Sequence, residues 1–236
     1  MVTAKDIRLH PVSRRDAEAV ITRHHYSGKV KNNGTLHIGV FLQGRLEGAM
    51  QLGPPIDKRR MLGLVEGTRW ENMLELNRMA FSDRLPPNSE SRALSVMARV
   101  LRSHAPQIKW IVSFADGTQC GDGTIYRAAG YLLTQIKEST GLARFPNGEV
   151  LHQIALQSQP TSPLRVAGGR SYYEITGGRH SWRTFVERTG AEILPGYQLR
   201  YVQFIDPAWR DRLAVPVLPY SAIAEAGAGM YLGEKR

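Results

Sequence analysis

Apolar positions along this chain first alternate with polar ones, then recur every third or fourth residue, then alternate again. Ile7-Arg8-Leu9 alternates as a short strand that Pro11 breaks. Ser13, with Asp16 three residues on, makes a start resembling a capping box, and Val12 and Ala17 are spaced as a hydrophobic staple. The helix that follows carries Ala17, Val20 and Ile21 on one face and runs out near His24-His25-Tyr26-Ser27-Gly28. Two strands are expected over 35–42 and 45–52, joined by a tight hairpin at Gln43-Gly44.

The middle has the clearest periodicity. Residues 74–81 alternate as a strand, and Pro86-Pro87-Asn88-Ser89 opens a helix reaching Arg102. Its apolar face is Ala93, Leu94, Met97, Val100 and Leu101. Residues 108–115 form a buried-type strand ending at Asp116, and a loop with Gly117, Gly121 and Gly123 leads to a short helix over 124–129. Gly130 stops that helix, and 131–135 is the next strand. Strand, helix, strand, helix, strand predicts a parallel or mixed sheet with crossover helices.

The second half is less regular. Phe145-Pro146-Asn147-Gly148 reads as a turn before an apolar strand over 150–156, and 159–169 reads as a loop. A helix over 182–188 and an alternating strand over 198–205 follow, and the Ala- and Gly-rich stretch after Tyr220 reads as a frayed tail. The expected fold class is α/β (α+β): a mixed twisted sheet flanked by helices with a C-terminal elaboration. One domain is expected over 1–220, with its core at about 5–135, the elaboration at about 136–220 and a flexible tail at 221–236.

Composition narrows the classes. Of 236 residues 42% are hydrophobic and 22% charged, which suits a folded core and not a disordered chain. No apolar run approaches the ~18 residues of a membrane span. With no apolar leader at the N-terminus, a cytoplasmic location is expected. The lone Cys120 leaves no intramolecular disulfide and no Cys-rich zinc site. The net charge is +10, and 24 of the 31 basic residues are Arg. Arg presents a planar fork that pairs two-to-two with phosphate oxygens or a guanine edge. Such a surface favours a polyanionic partner, above all nucleic acid.

The order of elements resembles the GCN5-related N-acetyltransferase fold, most locally in Gly123-Thr124-Ile125-Tyr126-Arg127-Ala128-Ala129-Gly130-Tyr131. Further pieces are more specific: His24-His25-Tyr26-Ser27, Glu75-Leu76-Asn77-Arg78 leading into 89–92, Ser113-Phe114-Ala115-Asp116 ten residues before Tyr126, and Arg200-Tyr201-Val202-Gln203-Phe204-Ile205-Asp206 before Pro219-Tyr220. Together they resemble the bacteriophage Mom family of DNA-modification proteins. That resemblance implies an enzyme that converts the exocyclic amine of adenine in DNA to a carbamoylmethyl derivative, protecting phage DNA from host restriction. A conventional acetyl-CoA-dependent N-acetyltransferase of a protein or small amine, or a basic DNA-binding protein without catalysis, are the alternatives.

Candidate site residues follow. Asp116, at the carboxyl end of a central strand where open α/β sheets bind ligands, is placed to accept a proton or hydrogen-bond a base edge; a simple turn-former is the other reading. Tyr126 in the acetyltransferase superfamily is the general acid toward a departing thiolate, and plain core packing is its alternative. His24 and His25 cannot both face one site, because successive helical residues point about 100° apart. The resemblance puts His25 and Tyr26 on the substrate side of the pocket. It also raises iron, which His with Tyr or Asp could ligate, although no metal-ligand spacing is specific.

Arg78, Ser91 and Ser89 fall on the cofactor side, where helix-start amides make an anion site for acetyl-CoA or a related acyl donor. The loop 84–89 lacks the superfamily's glycines, and its prolines remove donors, so close wrapping of a pyrophosphate is in doubt. For DNA the candidates are Lys29, Lys31, Lys58, Arg59, Arg60, Arg165, Arg170, Arg179 and Arg183. Tyr172, Tyr173 or Trp182 would hold the gap left by a flipped adenine, unless they are core.

Overall fold

The computed structural model describes residues 2–118, 121–231 and 234–235, so Cys120 lies outside the described residues. In chain order the main elements are β1 (Arg8–Pro11), α1 (Arg14–His24), β2 (Leu36–Leu42), β3 (Arg45–Gly53), α2 (Lys58–Leu62), β4 (Met73–Phe81) and α3 (Ser89–His104). Then come β5 (Trp110–Asp116), α4 (Thr124–Ala128), β6 (Leu132–Arg144), β7 (Val150–His152), α5 (Gln153–Gln157), α6 (Tyr172–Thr176), α7 (Trp182–Thr189), β8 (Glu192–Phe204) and α8 (Ser221–Glu225). The strands β1 to β8 form one sheet in the order β1-β2-β3-β4-β5-β8-β6-β7. The expected mixed sheet flanked by helices is what forms.

Local chemistry explains the connections. Gln43 and Gly44 between β2 and β3 both adopt positive φ, 50° and 79°, the twist that a two-residue hairpin needs. Pro11 does not precede the end of β1 but closes it, at a sheet edge where a missing N–H is tolerated. The crossover α3 forces β4 and β5 to be parallel, and β8 then inserts antiparallel between β5 and β6. That insertion pairs residues far apart in sequence, which periodicity does not report.

Two faces of the sheet are covered differently. On one, Leu94, Met97 and Leu101 of α3 pack on Ile111, Leu133, Leu199 and Tyr201. On the other, Ala17 and Ile21 of α1 meet Ala49 and Ala80, while Met61 and Val65 beside α2 cover Trp110, Val112, Val202 and Phe204. A separate cluster built on Phe145, Tyr172, Trp182 and Phe185 forms the core of the C-terminal elaboration.

Several expectations are corrected. Val100 is 42% exposed, because α3 needs only a narrow apolar stripe and its neighbours 97 and 101 fill it. The strand over 150–156 stops at His152, whose Nδ1 accepts the Ile154 N–H at 3.1 Å and caps α5. The stretch after Tyr220 forms α8, with Ile223 and Ala228 buried in the main core; the Tyr220 hydroxyl donates to the Tyr131 carbonyl and anchors it. Helices α2 and α6 were not expected: each is five residues long and held by a cap, Asp57 for α2 and Ser171 with Glu174 for α6.

Candidate active site

The site begins with a fault in the sheet. Strands β4 and β5 pair only at Met73–Glu75 with Trp110–Val112, and beyond Glu75 and Val112 they part. At the same level β3 pairs Leu52 with Leu76 and Gln51 with Arg78, so Asn77 is the extra residue of a β-bulge. A bulge bends its strand and re-aims the side chains after it. Arg78 is the first of those.

Side-chain alternation along β5 decides which way Asp116 points. Trp110 and Val112 belong to the cluster beside α2, whereas Ile111 and Ala115 belong to the α3 side. Asp116 continues the row of Trp110, Val112 and Phe114, toward the face that α1 covers. One of its oxygens, Oδ1, accepts the Thr118 N–H at 2.9 Å and shapes the turn; the other, Oδ2, faces the Tyr26 hydroxyl at 3.4 Å. The turn-forming reading of Asp116 is seen on Oδ1, and Oδ2 is engaged by Tyr26. The 3.4 Å contact is longer than an ordinary hydroxyl–carboxylate bond.

Helix α1 ends by bringing its last residues to this point. His24 is exposed and His25 half-buried, the divergence expected from helix geometry. The His25 Nδ1 accepts the Ser27 N–H at 3.1 Å and lies 2.8 Å from the Ser27 hydroxyl, so the neutral ring carries its proton on Nε2. Burial, with the Arg78 guanidinium beside it, pushes its pKa from 6.5 to about 4. At neutral pH His25 is thus a fixed donor and a poor base. The sign of the stability effect follows. The unfolded imidazole protonates below 6.5 and the native one only near 4, so stability drops as pH falls through that window. In thermal melts between pH 7 and 4.5, His25→Gln is expected to flatten this part of the loss.

Arg78 ties the site together. Its Nε donates to the Lys29 carbonyl at 2.9 Å and its Nη1 to the Asn77 carbonyl at 2.7 Å, and it lies in the field of Glu75 and of the Tyr26 and Tyr126 hydroxyls. The Lys29–Lys31 stretch is pinned further by buried Gln51, whose Nε2 donates to the Lys31 carbonyl at 2.9 Å and whose Oε1 accepts the Lys31 N–H at 3.2 Å. Burial lowers the Lys31 pKa and raises that of Glu75, each charge partly countering the shift of the other.

Tyr126 reaches the site from the opposite side. It is buried in the α3-side cluster, its ring 5.2 Å from Tyr201 and 5.3 Å from Tyr131. Asp116 and Tyr126 thus stand on two faces of one sheet, and Arg78 lies in the field of the Tyr126 hydroxyl as well as that of Tyr26. Gly123 sets the Tyr126 helix in place: at φ 79° a Cβ there would stand 2.6 Å from the Tyr201 ring and 3.0 Å from Tyr126. Gly123→Ala is expected to cost about 1–3 kcal/mol of stability, read from denaturant melts.

Sequence reasoning missed Glu75, Gln51 and His152. His152 lies in the field of Asp116, Lys29 and Lys31, and burial lowers its pKa. Its ring rests on Gly141, where a Cβ would come within 3.1 Å. Nothing near position 152 in the sequence hints at this; β7 reaches the site only because β6 and β8 fold it back.

Other candidates are placed elsewhere. Ser89 is fully buried and donates its hydroxyl to the Pro86 carbonyl at 2.6 Å, so it cannot offer that donor to an anion. Ser91 donates to the Asn88 carbonyl at 3.2 Å, and none of the Arg78 hydrogen bonds reaches either serine. Tyr172 and Trp182 are core: Tyr172 is fully buried, and the Trp182 indole donates to the Thr140 carbonyl at 2.8 Å. Tyr173 is half-buried, with its hydroxyl 2.7 Å from His180 Nε2. Lys58, Arg59, Arg60, Arg170, Arg179 and Arg183 are exposed; Arg165 faces Glu149 at 3.7 Å and Arg183 pairs with Glu187 at 2.9 Å.

For a coenzyme A diphosphate, the 82–89 loop has few donors to give: the Arg84 and Leu85 amides bond Ser82, the Ser89 amide bonds Pro86, and two residues are proline. The Asp83 and Asn88 amides and the first amides of α3 are left, without the run of glycine amides that would enclose a pyrophosphate. For iron, no group of three or more His, Cys, Asp or Glu converges among the described residues, and Lys29 and Lys31 bring positive charge to the same His152 that lies in the field of Asp116, so these residues do not fit a cluster of His and carboxylate ligands.

Among solved structures, the ribosomal-protein-S18-alanine N-acetyltransferase of Escherichia coli matches 87% of this chain and 97% of its own at 9% identity and a TM-score of 0.43. A Bacillus subtilis acetyltransferase in complex with CoA covers 84% and 97% at 9% identity and a TM-score of 0.42. Those likenesses are too distant to carry residue assignments. The methylcarbamoylase mom of Escherichia phage Mu is 33% identical over 211 residues, 89% of this chain and 80% of that protein. The Mom protein family profile matches residues 6–222, a span that includes His25, Tyr26, Arg78, Asp116 and Tyr126, and the chain belongs to that family.

Proposed function

We propose that this protein modifies DNA by converting the exocyclic amine of adenine to a carbamoylmethyl derivative, in the cytoplasm of a phage-infected host, where the product shields phage DNA from restriction. The observation that carries this reading is the Tyr26–Asp116 contact beside Arg78, whose charge is felt at the Tyr126 hydroxyl as well, in a chain 33% identical to a methylcarbamoylase. An adenine amine is a weak nucleophile because its lone pair is delocalised into the ring. A carboxylate at Asp116 would take a proton from that nitrogen as the new N–C bond forms, while Tyr26 and the donor on His25 orient the base. Tyr126, arriving from the other face, would donate a proton toward the group that leaves.

The product limits the chemistry. A carbamoylmethyl group is joined through a methylene carbon, whereas attack on a thioester carbonyl would give an N-acetyl group. Acetyl transfer alone is therefore not the reaction, in keeping with a loop that does not enclose a coenzyme A diphosphate. A stacked base cannot present its amine to a cleft, so the adenine enters flipped from a duplex or captured from a single strand. Lys29, Lys31 and the exposed arginines would meet phosphates.

The test is nucleoside mass spectrometry of DNA from cells expressing the protein. A modified adenine nucleoside is expected, and unaltered nucleosides alongside folded protein would end the proposal. Tight acetyl-coenzyme A binding without DNA affinity would point instead to a conventional acetyltransferase. Phenotypes that survive both Asp116→Ala and Tyr126→Phe would point to a DNA-binding protein without catalysis.

A further inference from the structure

Flipping a base leaves a hole in the stack, and the aromatic residues considered for filling it, Tyr172 and Trp182, are in the core. Among the described residues the large apolar side chain most open to solvent is Ile56, at 63% exposure. Its place is informative. Strand β3 ends at Gly53, paired with Glu75 at the last level where β4 and β5 still touch. The chain leaves the sheet there as Pro54-Pro55-Ile56, so Ile56 stands at the rim of the candidate site.

The loop holding it is stiff. Two prolines fix φ in succession, buried Pro55 anchors one end, and the Pro54 carbonyl accepts the Asn33 side-chain amide. Asp57 then caps α2 by accepting the Arg60 N–H at 3.2 Å. An aliphatic side chain on such a mount gains nothing from solvent. Beside it are Lys58, Arg59 and Arg60, all exposed, and none is in an ion pair among the described residues. Lys58 lies over the Trp70 ring at 4.3 Å, which leaves its charge uncancelled. An apolar tip flanked by unneutralised cations complements a polyanion with an apolar interior, and duplex DNA has that construction.

We propose that Ile56 is the wedge that enters the base stack of duplex DNA beside the target adenine, with Lys58, Arg59 and Arg60 on the adjoining phosphates. This deepens the DNA-modification reading and rests on it. The inserted side chain occupies the vacated space and prevents the base from returning.

The test uses the full chain and a short duplex with 2-aminopurine next to a single adenine, because 2-aminopurine brightens when its stacking is lost. A several-fold rise is expected on binding wild-type protein, none with Ile56→Ala, and a retained rise with Ile56→Met, which keeps an apolar tip. Duplex modification by Ile56→Ala should fall about tenfold while an unstacked single-stranded oligonucleotide is modified as well as by wild type. Equal losses on duplex and single strand, or an undiminished rise with Ile56→Ala, would overturn the wedge. Wild-type binding without any rise sinks the wedge and leaves the modification reading standing. A rise without modified nucleoside does the reverse, and no DNA binding at all removes both.

Discussion

Asp116→Asn is expected to lower adenine modification by about 10²–10⁴-fold, the usual contribution of a positioned proton acceptor. The substitution separates the two duties of the side chain. Asn keeps an oxygen to accept the Thr118 N–H, now at 2.9 Å on Oδ1, so the turn after β5 stays intact. Its amide nitrogen still contacts Tyr26, but it cannot take a proton from an incoming amine. Melting temperature and DNA affinity should match wild type while the modified nucleoside disappears from digests. Turnover within a few-fold of wild type would assign Asp116 to turn formation alone.

Arg78 carries the second large effect. Its planar fork bonds the Lys29 and Asn77 carbonyls at once, from Nε and Nη1, and a lysine ammonium cannot span both. Arg78→Lys is expected to reduce modification by about 10–100-fold, through a displaced Lys29–Lys31 segment and a disordered Tyr26. Arg78→Met separates geometry from charge. The guanidinium is one of two causes that hold the His25 pKa near 4, and burial, the larger, remains in either variant. An NMR titration of His25 should therefore move partway back toward 6.5 in Arg78→Met and stay low in Arg78→Lys. A His25 pKa unchanged in both variants would show that Arg78 does not face the ring.

The fold was legible wherever a local pattern decides it. The Ser13 cap, the Gln43-Gly44 hairpin, the α3 stripe and the buried strand ending at Asp116 each depend on a few neighbouring residues. Asp116, Tyr126, His25, Tyr26 and Arg78 were all named as candidates from sequence, and of these Tyr26 comes to Asp116 and Arg78 lies beside His25. What escaped reading depends on contacts between distant segments. The β-bulge at Asn77, which redirects the Arg78 side chain, has no signature in one strand's own sequence. Tyr172 and Trp182 looked like a DNA-facing pair among arginines, yet the apolar surface they bury is set by Phe145 and Phe185.

The sequence by itself determined the helices α1, α3, α4 and α7 and most strands, the net charge of +10 that favours a polyanion, and the chemical types available at the site, because propensity, capping and charge act over a few residues. Tertiary structure alone decided that β8 separates β5 from β6, that β4 and β5 part after three paired residues, and that His152 comes into the field of Asp116 and Lys31. Those outcomes follow from which buried faces fit one another across the whole chain, and no local stretch encodes that fit.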